Sequence, residues 1–186
     1  INNSGTIVNE SYYAIYVDSN SDISGGITNS GTISNTDDVA IIIYSNSDIS
    51  GGINNSGSII ADEEGIYLWD TSDISGGIVN SGTISARTGL KVRDSSDITG
   101  VITNSGTISS SAFAIQVRNN SDISSGIVNS GTIFGSNTAI QLITSSEISG
   151  GITNTGTIQG GGGTAISLSS LNATTPINLN GGRVIG

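Results

Sequence analysis

The sequence predicts an all-β fold: a parallel β-helix (β-solenoid) of about seven coils of 24–26 residues, with three short strands in each, right-handed by the usual sense of parallel crossovers rather than by anything in the repeat. Three observations carry that expectation. A phrase typified by DISGGITNSGTIS (residues 22–34) returns along the chain with small edits. Apolar residues inside it alternate at the period of a strand. Ile, Val, Thr, Ser, Asn and Gly dominate a composition that includes 27 glycines, one proline and no cysteine, methionine or histidine, a mixture that favours strands and turns over helices.

Aligned on Asn-Ser/Thr-Gly-Thr/Ser-Ile, the asparagines fall at Asn3, Asn29, Asn55, Asn80, Asn104, Asn129 and Asn154, with spacings of 26, 26, 25, 24, 25 and 25. The distance from asparagine to the motif isoleucine is always four. A small residue (Ala14, Ala40, Gly65, Gly89, Ala114, Ala139) precedes an acid by eight, and the acid precedes the next asparagine by seven. All variation in length therefore lies between the motif isoleucine and the next small residue, where four to six residues intervene. That spacer is expected to be a loop and the remainder a fixed frame.

Within the frame, pairs such as Ile41 and Ile43, Ile66 and Leu68, and Leu90 and Val92 mark the inward side of one strand. Further apolar columns run through Ile23, Ile49, Ile74, Ile98, Ile123 and Ile148, and through Ile27, Ile53, Ile78, Ile102, Ile127 and Ile152. One coil cannot cover its own apolar face, whereas stacked coils place each isoleucine over its equivalent and pair every strand above and below. At about 4.8 Å per coil, seven coils make a rod about 34 Å long. Residues 1–186 are expected to form this single domain, without polar caps, as a segment of a longer chain or a filament subunit.

Turn chemistry adds detail. The pairs Gly25-Gly26, Gly51-Gly52 and Gly76-Gly77 suit sharp corners, and the glycine of the Asn-Ser-Gly turn is expected to take a positive φ. Alternation from Ile27 to Ile33 turns Asn29 inward, so the seven asparagines should form a hydrogen-bonded structural ladder up the axis. The tail PINLNGGRVIG (176–186) matches DISGGI in pattern and is expected to stop where a further Asn-Ser-Gly turn would begin.

Charge narrows the function classes. The formal net charge is −10, from 15 acids against 5 bases, which argues against nucleic acid as a partner. Eleven acids lie from Glu10 to Asp73 with no base among them, whereas Arg87, Lys91, Arg93, Arg118 and Arg183 all follow, so the rod should be electrically lopsided. No apolar run reaches spanning length, and direct membrane insertion is not expected.

Four sets of residues qualify as candidate sites. One acid per coil (Asp22, Asp48, Asp73, Asp97, Asp122, Glu147) should form a carboxylate column, whose first reading is turn carboxylates bonded to nearby hydroxyls and backbone amides, with a calcium column as the alternative. No other cofactor is suggested. Outward positions between the strand isoleucines include Tyr16, Tyr44, Tyr67, Trp69, Lys91, Arg93 and Arg118, a candidate partner-binding face; an inter-coil cation–π pair of Trp69 with Arg93 belongs to the competing reading. The bland reading of the same residues is surface decoration on a β face. Ser/Thr columns such as Thr28, Ser30 and Thr32 offer a weak hydroxyl-array reading, interrupted at Val79 and Val128. Asn-x-Ser/Thr acceptors at Asn2, Asn9, Asn54, Asn119 and Asn172 are unspecific in a chain so rich in both residues. Without His or Cys no Ser-His-Asp or Cys-His set can be built, and the acids are either regular or bunched in loops, so catalysis is not expected.

The repeated GGITNSGTIS with AIxL strands resembles the β-solenoid passenger regions of bacterial autotransporters and related large surface adhesins, over nearly the whole chain. The resemblance implies a location that is extracellular or on the bacterial cell surface, a non-enzymatic structural or adhesive role, and a host or cell-surface protein or glycan as partner. Two alternatives stand beside it: a subunit that stacks on itself head to tail into a filament, and a polysaccharide-binding or polysaccharide-cleaving β-helix.

Overall fold

In the computed structural model, which describes residues 1–169 and 175–186, every regular element is a β-strand and every pairing is parallel. The Asn172 acceptor lies outside the described residues. The first strand is two residues long in the first coil (Asn2–Asn3) and three in the others, as at Ile27–Asn29, Ile53–Asn55 and Ile78–Asn80, and these strands stack in chain order into an eight-stranded sheet. A second strand follows the Asn-Ser-Gly turn (Thr32–Asn35 in the second coil) and a third follows the spacer (Val39–Tyr44). Both belong to one 13-stranded sheet, because in the fourth and fifth coils they fuse into the continuous strands Thr83–Arg93 and Thr107–Arg118. The fourth coil has the shortest spacer, Ser85 to Thr88, which leaves no room for a turn. The fifth carries one more residue there, absorbed as a register shift between Ala86 and Thr88. The corner near the acids holds a column of parallel bridges through Ile23, Ile49, Ile74, Ile98 and Ile123 that widens into a strand pair at Asp122–Ile123 and Glu147–Ile148.

Register follows the repeat. Ile27 pairs with Ile53, Ile53 with Ile78, Ile78 with Ile102, Ile102 with Ile127 and Ile127 with Ile152. The isoleucine columns close into one core in which Ile33, Ile41, Ile43, Ile49, Ile59 and Ile66 are fully buried. Each such side chain removed from water stabilises the fold by about 1.5–3 kcal/mol before conformational entropy is set against it.

Three expectations need correction. The glycine of the Asn-Ser-Gly turn does not take a positive φ; that conformation belongs to the corner glycines Gly26 (73°), Gly52 (75°), Gly77 (75°), Gly126 (84°) and Gly151 (76°), while Val101, in the same place one coil beyond Gly77, does not take it. Glycine is required at Gly31, Gly57 and Gly82 for another reason: a Cβ there would collide with the backbone carbonyl of the glycine one coil below. The tail does not stop before another turn but forms that turn. Pro176 stands in the place of Gly151, Ile177 pairs with Ile152, Leu179 with Asn154, Arg183 with Thr157 and Val184 with Ile158. Lastly, the outward column of the third strand is not uniformly exposed. Ile42 (2% exposed) and Tyr67 (8%) are buried in a second apolar cluster outside the coil, because Tyr13, Tyr44 and Trp69 fold over them.

One regular feature gave no warning in the hydrophobic pattern. After the third strand of each of the first six coils, two successive non-glycine residues take left-handed backbone: Ser19-Asn20, Ser45-Asn46, Asp70-Thr71, Asp94-Ser95, Asn119-Asn120 and Thr144-Ser145, all with φ of 57–62°. Each such residue costs about 1–2 kcal/mol in L-amino acids. Inter-coil hydrogen bonds offset it, for example Asn20 N–H to Ser45 O at 3.0 Å and Asn46 N–H to Asp70 O at 2.9 Å.

Candidate functional site

Three polar columns hold the corners. In the asparagine ladder, Asn3, Asn29, Asn55, Asn80, Asn104, Asn129 and Asn154 lie inward, and each Nδ2 from Asn3 to Asn129 donates to the Oδ1 of the next coil at 2.7–2.8 Å. The same Nδ2 also donates to the turn glycine carbonyl of its own coil and to a carbonyl of the next, as Asn104 does to Gly106 O (3.3 Å) and Thr132 O (3.1 Å). The ladder therefore has a direction and ends at Asn154, whose Nδ2 donates to Gly156 O and Arg183 O, with Leu179 in the next register position.

The acid column and a buried serine column work in opposite senses around one corner. Ser47 N–H donates to Ser72 Oγ, Ser72 N–H to Ser96 Oγ, Ser96 N–H to Ser121 Oγ and Ser121 N–H to Ser146 Oγ, at 3.0–3.2 Å, toward the C-terminal end. In the other direction Asp48 N–H donates to Asp22 Oδ1, Asp73 N–H to Asp48, Asp97 N–H to Asp73, Asp122 N–H to Asp97 and Glu147 N–H to Asp122, at 2.7–3.2 Å. Here side chains of neighbouring coils satisfy peptide N–H groups that a tight corner leaves without carbonyl partners. Burial pushes the Asp73 and Asp122 carboxyls above their usual range; the accepted N–H bonds pull them down and the neighbouring acids push them up again. The column's carboxylates thus cap the backbone N–H groups of neighbouring coils, and among the described residues no group of three or more acids is placed to hold a metal ion.

The outward face of the third strand gathers most of the candidate partner-binding residues. Register sets Tyr16, Ile42, Tyr67, Lys91, Gln116, Gln141 and Ser167 in one column. Tyr44, Trp69, Arg93, Arg118, Ile143 and Ser169 form the column beside it. Trp69 lies parallel to Tyr67 (5.8 Å between ring centroids, 2° between planes) and 4.7 Å from Tyr44. Lys91 Nζ sits 5.0 Å from the Tyr67 ring centroid and the Arg93 guanidinium 5.3 Å from that of Trp69. Tyr16 packs on Tyr13 at 4.9 Å in the first coil, at the margin of this group.

Acids that sequence reasoning did not include tie the face together. Lys91 Nζ meets Glu64 Oε1 at 2.7 Å, and Asp94 Oδ2 accepts from Arg93 and from Trp69 Nε1, both at 2.7 Å. Asn119 Nδ2 donates to Asp94 Oδ1 at 2.5 Å. Burial works against ionisation of Asp94, but the bonds from Asn119, Arg93 and Trp69 together with the Arg93 charge outweigh it and hold the carboxyl below its usual range. Burial pushes the Tyr67 hydroxyl up to about 12. Asp94 had a sequence signal, since it follows Arg93 directly; Glu64 had none, because its partner lies 27 residues away. Arg118 differs from its neighbours: it stands one coil beyond Arg93, half-buried, in none of the ion pairs among the described residues, and its Nε is buried without a hydrogen-bond partner there. Chemically the wall offers aromatic faces, a neutralised cationic middle and one unneutralised guanidinium.

Comparison with protein-family models, with curated proteins and with solved structures finds no match to this chain.

Proposed function

We propose that this chain is a non-enzymatic, extracellular or cell-surface β-solenoid whose frame is structural and whose aromatic and basic wall makes adhesive contact with a host or cell-surface protein or glycan. One observation carries the reading. The inward columns of the third strand keep to Ile, Leu and Val coil after coil, while the outward columns in the same register change from Tyr and Ile through Lys and Arg to Gln and Ser. This outward face changes its chemistry from coil to coil on a constant frame, and we assign selectivity for a partner to it. Aromatic and Arg side chains on a rigid support are the residue types that dominate binding energy at interfaces. The resemblance of the GGITNSGTIS repeats to autotransporter passengers and large adhesins supports the proposed location.

The test is adhesion of beads coated with the purified protein to bacterial and epithelial cells, with the W69A/R118A double variant beside the wild type and circular dichroism to verify the fold. The proposal expects wild-type beads to adhere and the variant to lose at least tenfold. Absence of adhesion to any cell type, or equal adhesion by the variant, would overturn it.

A further inference from the structure

A second surface feature lies on the second-strand segment, before the spacer, rather than on the third-strand segment that carries the wall. The outward column of the second strand reads Val8, Ser34, Ile60, Ser85, Ser109, Phe134 and Gln159 in register. Ser85 and Ser109 thus stand side by side between two bulky neighbours, Ile60 and Phe134. The result is a trough of about 400 Å³ with Ile60 and Phe134 among its lining residues and with Ser85, Ser109, Ser111 and Ser136 supplying hydroxyls. Asp62 and Arg87 also line it, and Arg87 is tied to Glu63 at 2.8 Å. Ser110 belongs to the lining too, and its Oγ is buried with no hydrogen-bond partner among the described residues.

We infer that this trough is a binding site for a neutral saccharide, one to two sugar units in length. Four features of the site select that class. The register positions of Ile60 and Phe134 are three coils apart, about 14 Å, so the open stretch follows the rod axis and suits a short linear ligand. A peptide strand cannot join by β-augmentation, because Thr83–Arg93 and Thr107–Arg118 are already hydrogen-bonded on both sides. An anion is disfavoured: the one cation present is neutralised by Glu63, Asp62 adjoins it, and the chain carries a net charge of −10. A purely apolar ligand would leave the serine hydroxyls without partners. A sugar ring meets all four conditions, with its C–H face against Phe134 and its hydroxyls exchanging hydrogen bonds with Ser85, Ser109 and Ser136.

Saturation-transfer NMR with cellobiose, lactose, maltose and di-N-acetylchitobiose, followed by titration of the best binder, tests the site. S109W fills the trough, F134S removes its ring, and S34W places the same bulk in the same column outside it. The inference expects at least one neutral disaccharide to bind the wild type, S109W to abolish the signal, F134S to weaken binding about tenfold and S34W to leave it unchanged. Melting curves verify that each variant folds, and F134S preserves the test if S109W does not. Absence of binding by all four sugars, binding undiminished in both S109W and F134S, or stronger binding of sialylated or sulfated sugars than of neutral ones would overturn it. W69A/R118A leaves the trough intact, so failure of the wall and failure of the trough are read separately.

Discussion

Asn104→Ala is the sharpest perturbation of the frame, because the ladder has a direction. Asn104 is fully buried; its Nδ2 donates to Asn129 Oδ1 (2.8 Å), Thr132 O (3.1 Å) and Gly106 O (3.3 Å), and its Oδ1 accepts from Asn80 (2.8 Å). Truncation leaves Asn129 Oδ1 without its ladder donor, whereas Asn80 Nδ2 retains Gly82 O and Thr107 O. An orphaned buried acceptor costs about 1–3 kcal/mol, and each of the three other lost bonds about 1 kcal/mol net, so the expected loss is about 5 kcal/mol. Asn154→Ala removes an equally buried side chain yet orphans no ladder acceptor, since the next register position is Leu179 and Asn129 Nδ2 retains Gly131 O and Thr157 O. Its three lost bonds, to Gly156 O and Arg183 O and from Asn129, give an expected loss of about 3 kcal/mol. Urea unfolding followed by circular dichroism gives both values from the midpoint and slope. Equal losses for the two variants, or less than about 1 kcal/mol for Asn104→Ala, would refute the directional ladder.

Gly82→Ala meets the Gly57 carbonyl, whereas nothing lies within 4 Å of a Cβ on Gly25. The first should lose about 2–3 kcal/mol to overpacking against fixed backbone, and the second should stay within about 0.5 kcal/mol of wild type, as read from melting temperatures. Asp38, Asp73 and Asp122 are held above the ordinary carboxyl range by burial and by neighbouring acids, so the stability they lend is complete below the unfolded value of about 3.9 and declines as pH rises through the folded one. Asp73→Asn retains an oxygen for the Asp97 N–H and should therefore be more stable than wild type at pH 7, with the difference closing near pH 4; a less stable variant at pH 7 contradicts the assignment. Asp94 is shifted down, so its contribution runs the other way and disappears as pH falls. Asp94→Ala should redden the emission of Trp69, the sole tryptophan, and raise its quenching by acrylamide, because Trp69 Nε1 and Arg93 both lose their acceptor.

The inward side of this fold was legible because one residue type must repeat wherever coils stack. The isoleucine columns, the three strands per coil and the inward asparagines all follow from period and alternation, and the structure places them accordingly. What escaped detection depends on contacts between coils rather than on pattern within one. Gly31 looked like a turn glycine, but close approach of the coil below is what excludes a side chain. Ile42 and Tyr67 looked exposed by alternation; rings from neighbouring coils bury them. The left-handed pairs had a signal that went unread, namely two residues drawn from Ser, Asn, Asp and Thr before a constant serine, at Ser19-Asn20, Ser45-Asn46 and their equivalents. That same serine (Ser47, Ser72, Ser96, Ser121) is the buried acceptor of the corner. Of the wall, the aromatic and basic members were visible in the sequence, but not the acids Glu64 and Asp94 that fix them.

The central claim is that residues one repeat apart lie one strand spacing apart along a common axis. Because the chain has no cysteine, pairs of spin labels can be placed at will on the outward column Thr28, Val79, Val128 and Thr153, which register sets two, four and five coils along the eight-stranded sheet. Electron–electron distances measured from a label at Thr28 should lengthen by about 4.8 Å per coil, reaching about 24 Å at Thr153. Distances that fail to grow in step with coil number would contradict the stacked coil and everything built on it.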